Sequence, residues 1–112
     1  MAWLKLDDNT YRNPKILELS TPAFRIHIGA LLHCAQNLTD GEVTMAALLG
    51  LMVPDIRKKP KNIASELVAA GLWAETADGV WAIADYLEYN PARADVVAKR
   101  EADRKRKAGI PR

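Results

Sequence analysis

Apolar residues recur with a helical period over the first half of the chain. The longest such stretch, Pro22 to about Asn37, predicts an amphipathic helix, with Thr21 as its N-cap and Pro22 as its first residue. A shorter pattern before it, at Lys15–Leu19, predicts a helix of one or two turns. The side chains expected to cover the core on the long helix are Phe24, Ile28, Leu31, Leu32 and Ala35.

Two further helices are predicted in the middle of the chain, separated by a basic turn. Glu42-Val43-Thr44 has the composition of a very short strand, and helical spacing follows from Met45 to Met52. A second helical pattern runs from Pro60 to Ala70, where Gly71 is well suited to end a helix. The chain therefore predicts a strand followed by a pair of short helices.

A β-hairpin is predicted after this pair. Leu72–Thr76 and Val80–Ile83 are two strand-like runs joined by Ala77-Asp78-Gly79. Asp-Gly between such runs is a strong hairpin signal because both residues tolerate the left-handed backbone of a tight turn. We also expect Trp73 and Trp81 to lie near each other across the hairpin.

The last part of the chain predicts a separate, increasingly charged helix. Asn90-Pro91 marks a break, and the segment from Ala92 to Ala108 has only weakly apolar positions, so this helix should leave the body and fray. The predicted organisation is one domain over residues 1–90 and a basic C-terminal helix and tail over residues 91–112. A chain of 112 residues has room for one core of this kind.

The order helix, helix, short strand, helix, turn, helix and hairpin is that of a winged helix-turn-helix domain. The predicted fold class is thus mostly α with a small β-hairpin wing. In that fold the second helix of the pair, here Pro60 to Ala70, is the one that enters the major groove of DNA. The hairpin tipped by Asp78-Gly79 would be the wing.

Charge is distributed unevenly along the chain. Residues 99–112 hold seven Lys or Arg and two acidic residues, a net charge of +5, whereas residues 1–98 hold nine basic and twelve acidic residues, a net charge of −3. A basic tail on a mildly acidic body is typical of an arm for a polyanion. The candidate phosphate-binding residues of the tail are Lys99, Arg100, Arg104, Lys105, Arg106 and Lys107.

A second basic cluster lies at the start of the predicted groove-binding helix. Side-chain cations and backbone N–H groups would together meet a phosphate there, and Asn62 could pair with an adenine edge. Glu66 is expected on the same outward face as Asn62 and Ser65. The candidate DNA-binding residues are Arg57, Lys58, Lys59, Lys61, Asn62 and Ser65, and the alternative is a solvated basic turn.

Catalytic and metal-binding patterns were sought as well. His27 and His33 are spaced wrongly for a shared metal, and Cys34 is a lone cysteine in an apolar helix, so both histidines and the thiol are interpreted as structural. Without a phosphate-binding glycine loop or a catalytic constellation, we expect no enzyme activity and no cofactor. The lone cysteine and the absence of a signal sequence favour a cytoplasmic protein, with no membrane partner.

Several short segments resemble one family. Trp3–Asp8, Asn13–Lys15, Thr39–Gly41, Leu67–Trp73 and Asp85–Asn90 followed by Arg93 resemble the N-terminal winged helix domain of actinobacterial phage and prophage replication-initiator-type or helix-turn-helix DNA-binding proteins. The resemblance implies binding of double-stranded DNA in replication initiation or transcriptional regulation, as a monomer or homodimer.

The alternative function is a protein-interaction module. In that case the winged helix surface, or the segment from Trp81 to Tyr89, would dock a host or replisome protein without binding DNA. Negative charge on the wing, from Glu75 and Asp78, and the net charge of −3 of the body favour this alternative.

Overall fold

The computed structural model describes residues 4–6, 8, 10–52, 59–84, 86–90 and 92–108. Within them the chain is mostly helical, with one small antiparallel sheet. Trp3, Arg57, Lys58 and Asp85 lie outside the described residues. The elements in chain order are a 3₁₀ turn Thr10–Arg12, α1 Pro14–Leu17, α2 Thr21–Asn37, β1 Glu42–Thr44, α3 Met45–Met52, α4 Pro60–Ala69, β2 Trp73–Ala77, β3 Val80–Ile83, α5 Tyr86–Tyr89 and α6 Arg93–Ala108.

Helix α2 is the central helix of the body, and its buried face differs from the predicted one. Leu31 is buried as expected, but Phe24 and Leu32 are exposed, by 39% and 52%. The core side is instead formed by residues three and four apart that include small and polar side chains, which let neighbouring elements approach closely. These are Ala23, Ile26, His27, Ala30, Leu31 and Cys34.

The beginning of α2 also differs from the prediction. Ser20, and not Thr21, is the N-cap, because the Ser20 Oγ accepts a hydrogen bond from the Ala23 N–H at 3.3 Å. Thr21 is already the first helical residue, followed by Pro22. The helix therefore starts one residue earlier than predicted.

The sheet has the strand order β1-β3-β2, with both pairs antiparallel. The predicted strands and the hairpin are confirmed. Thr44 pairs with Val80 next to the hairpin tip, while Glu42 pairs with Ala82 further from it. Trp73 and Trp81 lie as predicted, with ring centroids 6.3 Å apart. A register irregularity between Glu75 and Ala77 places an extra residue in β2 just before the turn.

The core lies between α2, the helix pair and one face of the sheet. Leu48 of α3 and Leu67 of α4 are fully buried in it, together with Val43 and Trp81 of the sheet. The two ends of the sheet are distinct. The hairpin tip is close to the start of α3, since the Met45 N–H donates to the Gly79 carbonyl at 2.9 Å.

The opposite end of the sheet holds α5 and the root of α6. The Ile83 N–H donates to the Gly41 carbonyl there at 2.8 Å, and Tyr86 is packed so closely on Gly41 that a Cβ at that position would lie 2.8 Å from the Tyr86 Cβ. Next to Gly41, the Asp40 Oδ1 accepts a hydrogen bond from the Arg93 N–H at 2.6 Å. Asp40 therefore holds the first residue of α6 at this end.

Helix α6 runs from Arg93 to Ala108, through the stretch in which its charge rises. Its side chains from Arg93 to Lys107 are exposed, apart from Val96, Glu101 and Asp103, which are half-buried. The molecule measures 56 Å along its longest axis and 29 and 26 Å along the others. A helix of this length spans about 24 Å, and because nearly all of its side chains are exposed, α6 stands out from the body.

Candidate nucleic-acid interface

The orientation of α4 follows from its apolar positions. Ile63, Ala64 and Leu67 are buried, and their spacing puts them on one side of the helix. Lys61, Asn62 and Ser65 are all exposed on the remaining surface. The structure thus gives these three predicted DNA-binding residues an accessible position on a helix that the core holds firmly.

Glu66 was expected on the outward face with Asn62 and Ser65, but its side chain is half-buried and turned toward α2. Its two carboxylate oxygens accept hydrogen bonds from the Ser20 N–H at 2.7 Å and from the Ser20 Oγ at 2.8 Å. The first backbone N–H groups of a helix have no acceptor within the helix. The Glu66 carboxylate accepts from one such N–H group at the beginning of α2, where a negative charge is also favourable. Glu66 therefore fixes α4 against α2 and is not available to a groove.

The beginning of α4 is positively charged. Lys59 occupies the N-cap position without a side-chain cap, and Pro60 is the first helical residue. The side chains of Lys59 and Lys61 are exposed and have no ion-pair partner among the described residues. This end of α4 can therefore accept an anion, while Arg57 and Lys58, predicted to extend the same cluster, lie outside the described part of the chain.

A cleft of about 330 Å³ separates α4 from the hairpin. Lys61 and Ser65 line it on the helix side, while Glu75 and Asp78 line it on the hairpin side. Both carboxylates are exposed, and neither is ion-paired with Lys61. A phosphate entering the cleft would meet Lys61 on one wall and like charge on the other, whereas Asn62 is outside the cleft.

The cations of α6 form two groups on the helix surface. Arg93, Arg100, Arg104 and Lys107 follow one another at spacings of three, four or seven residues, so they share one face. Lys99, Lys105 and Arg106 lie off that face. Two cations are paired within the helix, Arg104 with Glu101 at 2.5 Å and Arg106 with Asp103 at 3.1 Å. Such exposed pairs contribute little stability and can open to a stronger anion.

Among the described residues, Lys61 of the first basic cluster and the root of α6 lie at opposite ends of the sheet. Lys61 lies beside Asp78 and Gly79, at the hairpin-tip end of the sheet. The root of α6 is at Asp40, which adjoins the opposite end. Proximity of Asp40 to Arg93 had no signal in the sequence beyond the turn Thr39-Asp40-Gly41, because the two residues are far apart in the chain.

His27 and Cys34, which were considered as candidate functional groups, both lie in the core. His27 is buried, its Nδ1 accepts a hydrogen bond from the Trp73 Nε1–H at 3.1 Å, and burial lowers its pKa to about 4. Cys34 is also buried, and burial raises the pKa of its thiol, which disfavours the reactive thiolate. No set of three or more metal-ligating side chains comes together among the described residues.

A search for helices that could cross a bilayer found none in the described part of the chain. Comparison of the sequence and structure with protein-family models, curated proteins and solved structures found no match.

Proposed function

We propose that this chain is a winged helix-turn-helix protein that binds double-stranded DNA through the exposed N-terminal part of α4. The observation that carries the proposal is the combination of Lys59 and Lys61 at the beginning of α4, both exposed and without an ion-pair partner among the described residues, with polar Asn62 and Ser65 on the exposed surface of that helix. Cations position a protein on phosphates, and an amide side chain in the major groove can select bases.

The order of elements supports the winged-helix part of the proposal. A strand, a pair of helices and a two-stranded hairpin follow one another, and the strand pairs with the second strand of the hairpin. In such a domain α4 would enter the groove, and the hairpin would lie beside the DNA backbone. Here the hairpin carries Glu75 and Asp78, so it would add little to affinity for DNA.

A role in phage replication initiation or in transcriptional regulation belongs to the same proposal. Its support is the resemblance of the sequence segments to replication-initiator-type DNA-binding proteins. The cations of α6 would provide further phosphate contacts, and each contact made would steepen the dependence of affinity on salt.

The test is the affinity for a 20-base-pair duplex, measured by fluorescence anisotropy over a range of salt concentrations. The variant Lys59→Ala/Lys61→Ala should bind at least ten-fold more weakly, and its slope of log affinity against log salt should fall by about 2. Arg12→Ala/Lys15→Ala is the matched control, since it removes the same charge from two exposed positions, and Lys15 lies near Gly71, just beyond the other end of α4. Equal losses in both variants, or no binding by the wild type at low salt, would contradict the proposal.

One observation favours a protein-binding module as the second candidate. The acidic wall of the cleft, Glu75 and Asp78, is suited to a basic partner segment, whereas Trp81 and Tyr86 of the segment predicted to dock a protein are buried. Glu75→Gln/Asp78→Asn separates the candidates, because removing like charge should strengthen binding of DNA. Unchanged DNA affinity in that variant would show that DNA does not approach the cleft.

A further inference from the structure

Four cations of helix α6 share one exposed face, with Val97 between the first two; they are Arg93, Arg100, Arg104 and Lys107. From Arg93 to Lys107 the face extends over about 21 Å, which corresponds to about six base pairs of duplex. Its apolar side chains are small, with Val97 the largest exposed one, so α6 lacks the bulky apolar side that an interfacial membrane helix requires. The chemistry of this face fits a phosphate backbone.

The root of α6 determines where this face can reach. Asp40 binds the first residue of the helix at the end of the sheet that is remote from the hairpin tip. Lys61, at the start of α4, is beside Asp78 and Gly79 of that tip. The root of α6 and Lys61 are therefore at opposite ends of the sheet, and the cationic face continues from that root along an exposed helix.

We propose that the chain has two separate DNA-binding surfaces, the N-terminal part of α4 and the Arg93–Lys107 face of α6, and that one chain bridges two segments of duplex. This inference rests on the proposed function, since it assigns the second of the two cationic elements to a second duplex segment. The α4 site would dominate the affinity for a single duplex. The weaker α6 site would gain strength when both segments belong to the same DNA molecule, because the second contact becomes intramolecular.

The test is capture of a fluorescent 20-base-pair duplex by a second duplex fixed to beads, with the 112-residue chain as the only link. Light scattering of the free chain gives its mass, and titration with a 12-base-pair duplex gives the number of duplexes bound per chain. We expect capture by the wild type and two short duplexes per chain.

Two variants of equal charge distinguish the face of α6 from its total charge. Arg100→Ala/Arg104→Ala/Lys107→Ala should still bind one duplex but lose capture. Lys99→Ala/Lys105→Ala/Arg106→Ala removes the same number of cations away from that face and should retain most of the capture. Alanine favours helix at all these positions, which circular dichroism can verify.

Several outcomes would overturn the bridging proposal while leaving the proposed function intact. Capture that survives the Arg100/Arg104/Lys107 variant would mean that a dimer bridges DNA through α4 alone. If each chain binds one duplex, and substitutions in either basic cluster weaken that single complex, the two clusters form one continuous site. Unchanged duplex affinity and stoichiometry in the α6 variant would mean that this face of α6 does not bind DNA. Failure of the wild type to bind any duplex would instead overturn the proposed function.

Discussion

Burial of His27 predicts that the protein loses stability as the pH falls below neutral. The ring lies in the core and accepts a hydrogen bond from the Trp73 indole, which a ring protonated at Nδ1 cannot do. Burial lowers the pKa of His27 from 6.5 to about 4. Between these values the unfolded chain binds a proton that the folded chain excludes, so stability is complete above about pH 6.5 and falls as the pH drops toward 4.

The size of the effect follows from the two pKa values. The free energy of unfolding should fall by about 2 kcal/mol between pH 7.5 and 5, and by about 3 kcal/mol in total below pH 4. A measurement at pH 5 is preferable, because unperturbed Asp and Glu side chains, with pKa values near 4, are still mostly ionised there. Such a loss is a large part of the stability of a small domain.

The assay is urea denaturation followed by circular dichroism at pH 7.5 and pH 5, for the wild type and for His27→Gln. Glutamine cannot titrate but keeps an acceptor for the Trp73 N–H, so this variant should lose less than about 1 kcal/mol between the two pH values. His33→Gln is the control, since His33 is only half-buried, and it should retain the loss seen in the wild type. If the wild type and His27→Gln lose the same stability, His27 is not the group responsible.

Two further predictions concern contacts that position the elements. Glu66→Gln should lower the free energy of unfolding by about 1–2 kcal/mol, because an amide cannot accept both hydrogen bonds from Ser20, and Glu75→Gln on the exposed hairpin should change it little. Gly41→Ala should cost about 2 kcal/mol or more, since φ is +86° and the new Cβ would lie 2.8 Å from the Tyr86 Cβ. Gly50→Ala, in open space on α3, should instead stabilise the protein by up to about 1 kcal/mol. Thermal or urea denaturation measures all four, and a stable Gly41→Ala variant would refute the close packing at that position.

Local chemistry explains why the elements could be predicted. Asp78-Gly79 favours a tight turn whatever surrounds it, and the strand and helix boundaries nearby follow from residues adjacent in the chain. The periodicity of α4, with Ile63 and Leu67 on one side, was enough to place Asn62 and Ser65 on the other. Where apolar residues recur at helical spacing within a few residues, the sequence alone predicts which side of the helix is buried.

Tertiary packing decided the properties that depend on distant residues. On α2 the prediction followed the bulkiest side chains, such as Phe24, whereas the core selected the face of Ala23 and Ala30, because small residues permit close packing of neighbouring elements. The partner of Glu66 is likewise on another helix.

The basic clusters also have some properties that the sequence sets and others that only the fold sets. Their existence and charge are properties of the sequence alone, and so are the acidic residues of the hairpin. Only the fold determines that Lys61 faces Glu75 and Asp78 across a cleft, and that Asp40 fixes the root of α6 at the opposite end of the sheet. Distances between residues remote in the chain are set by which surfaces pack together, and no local pattern encodes them.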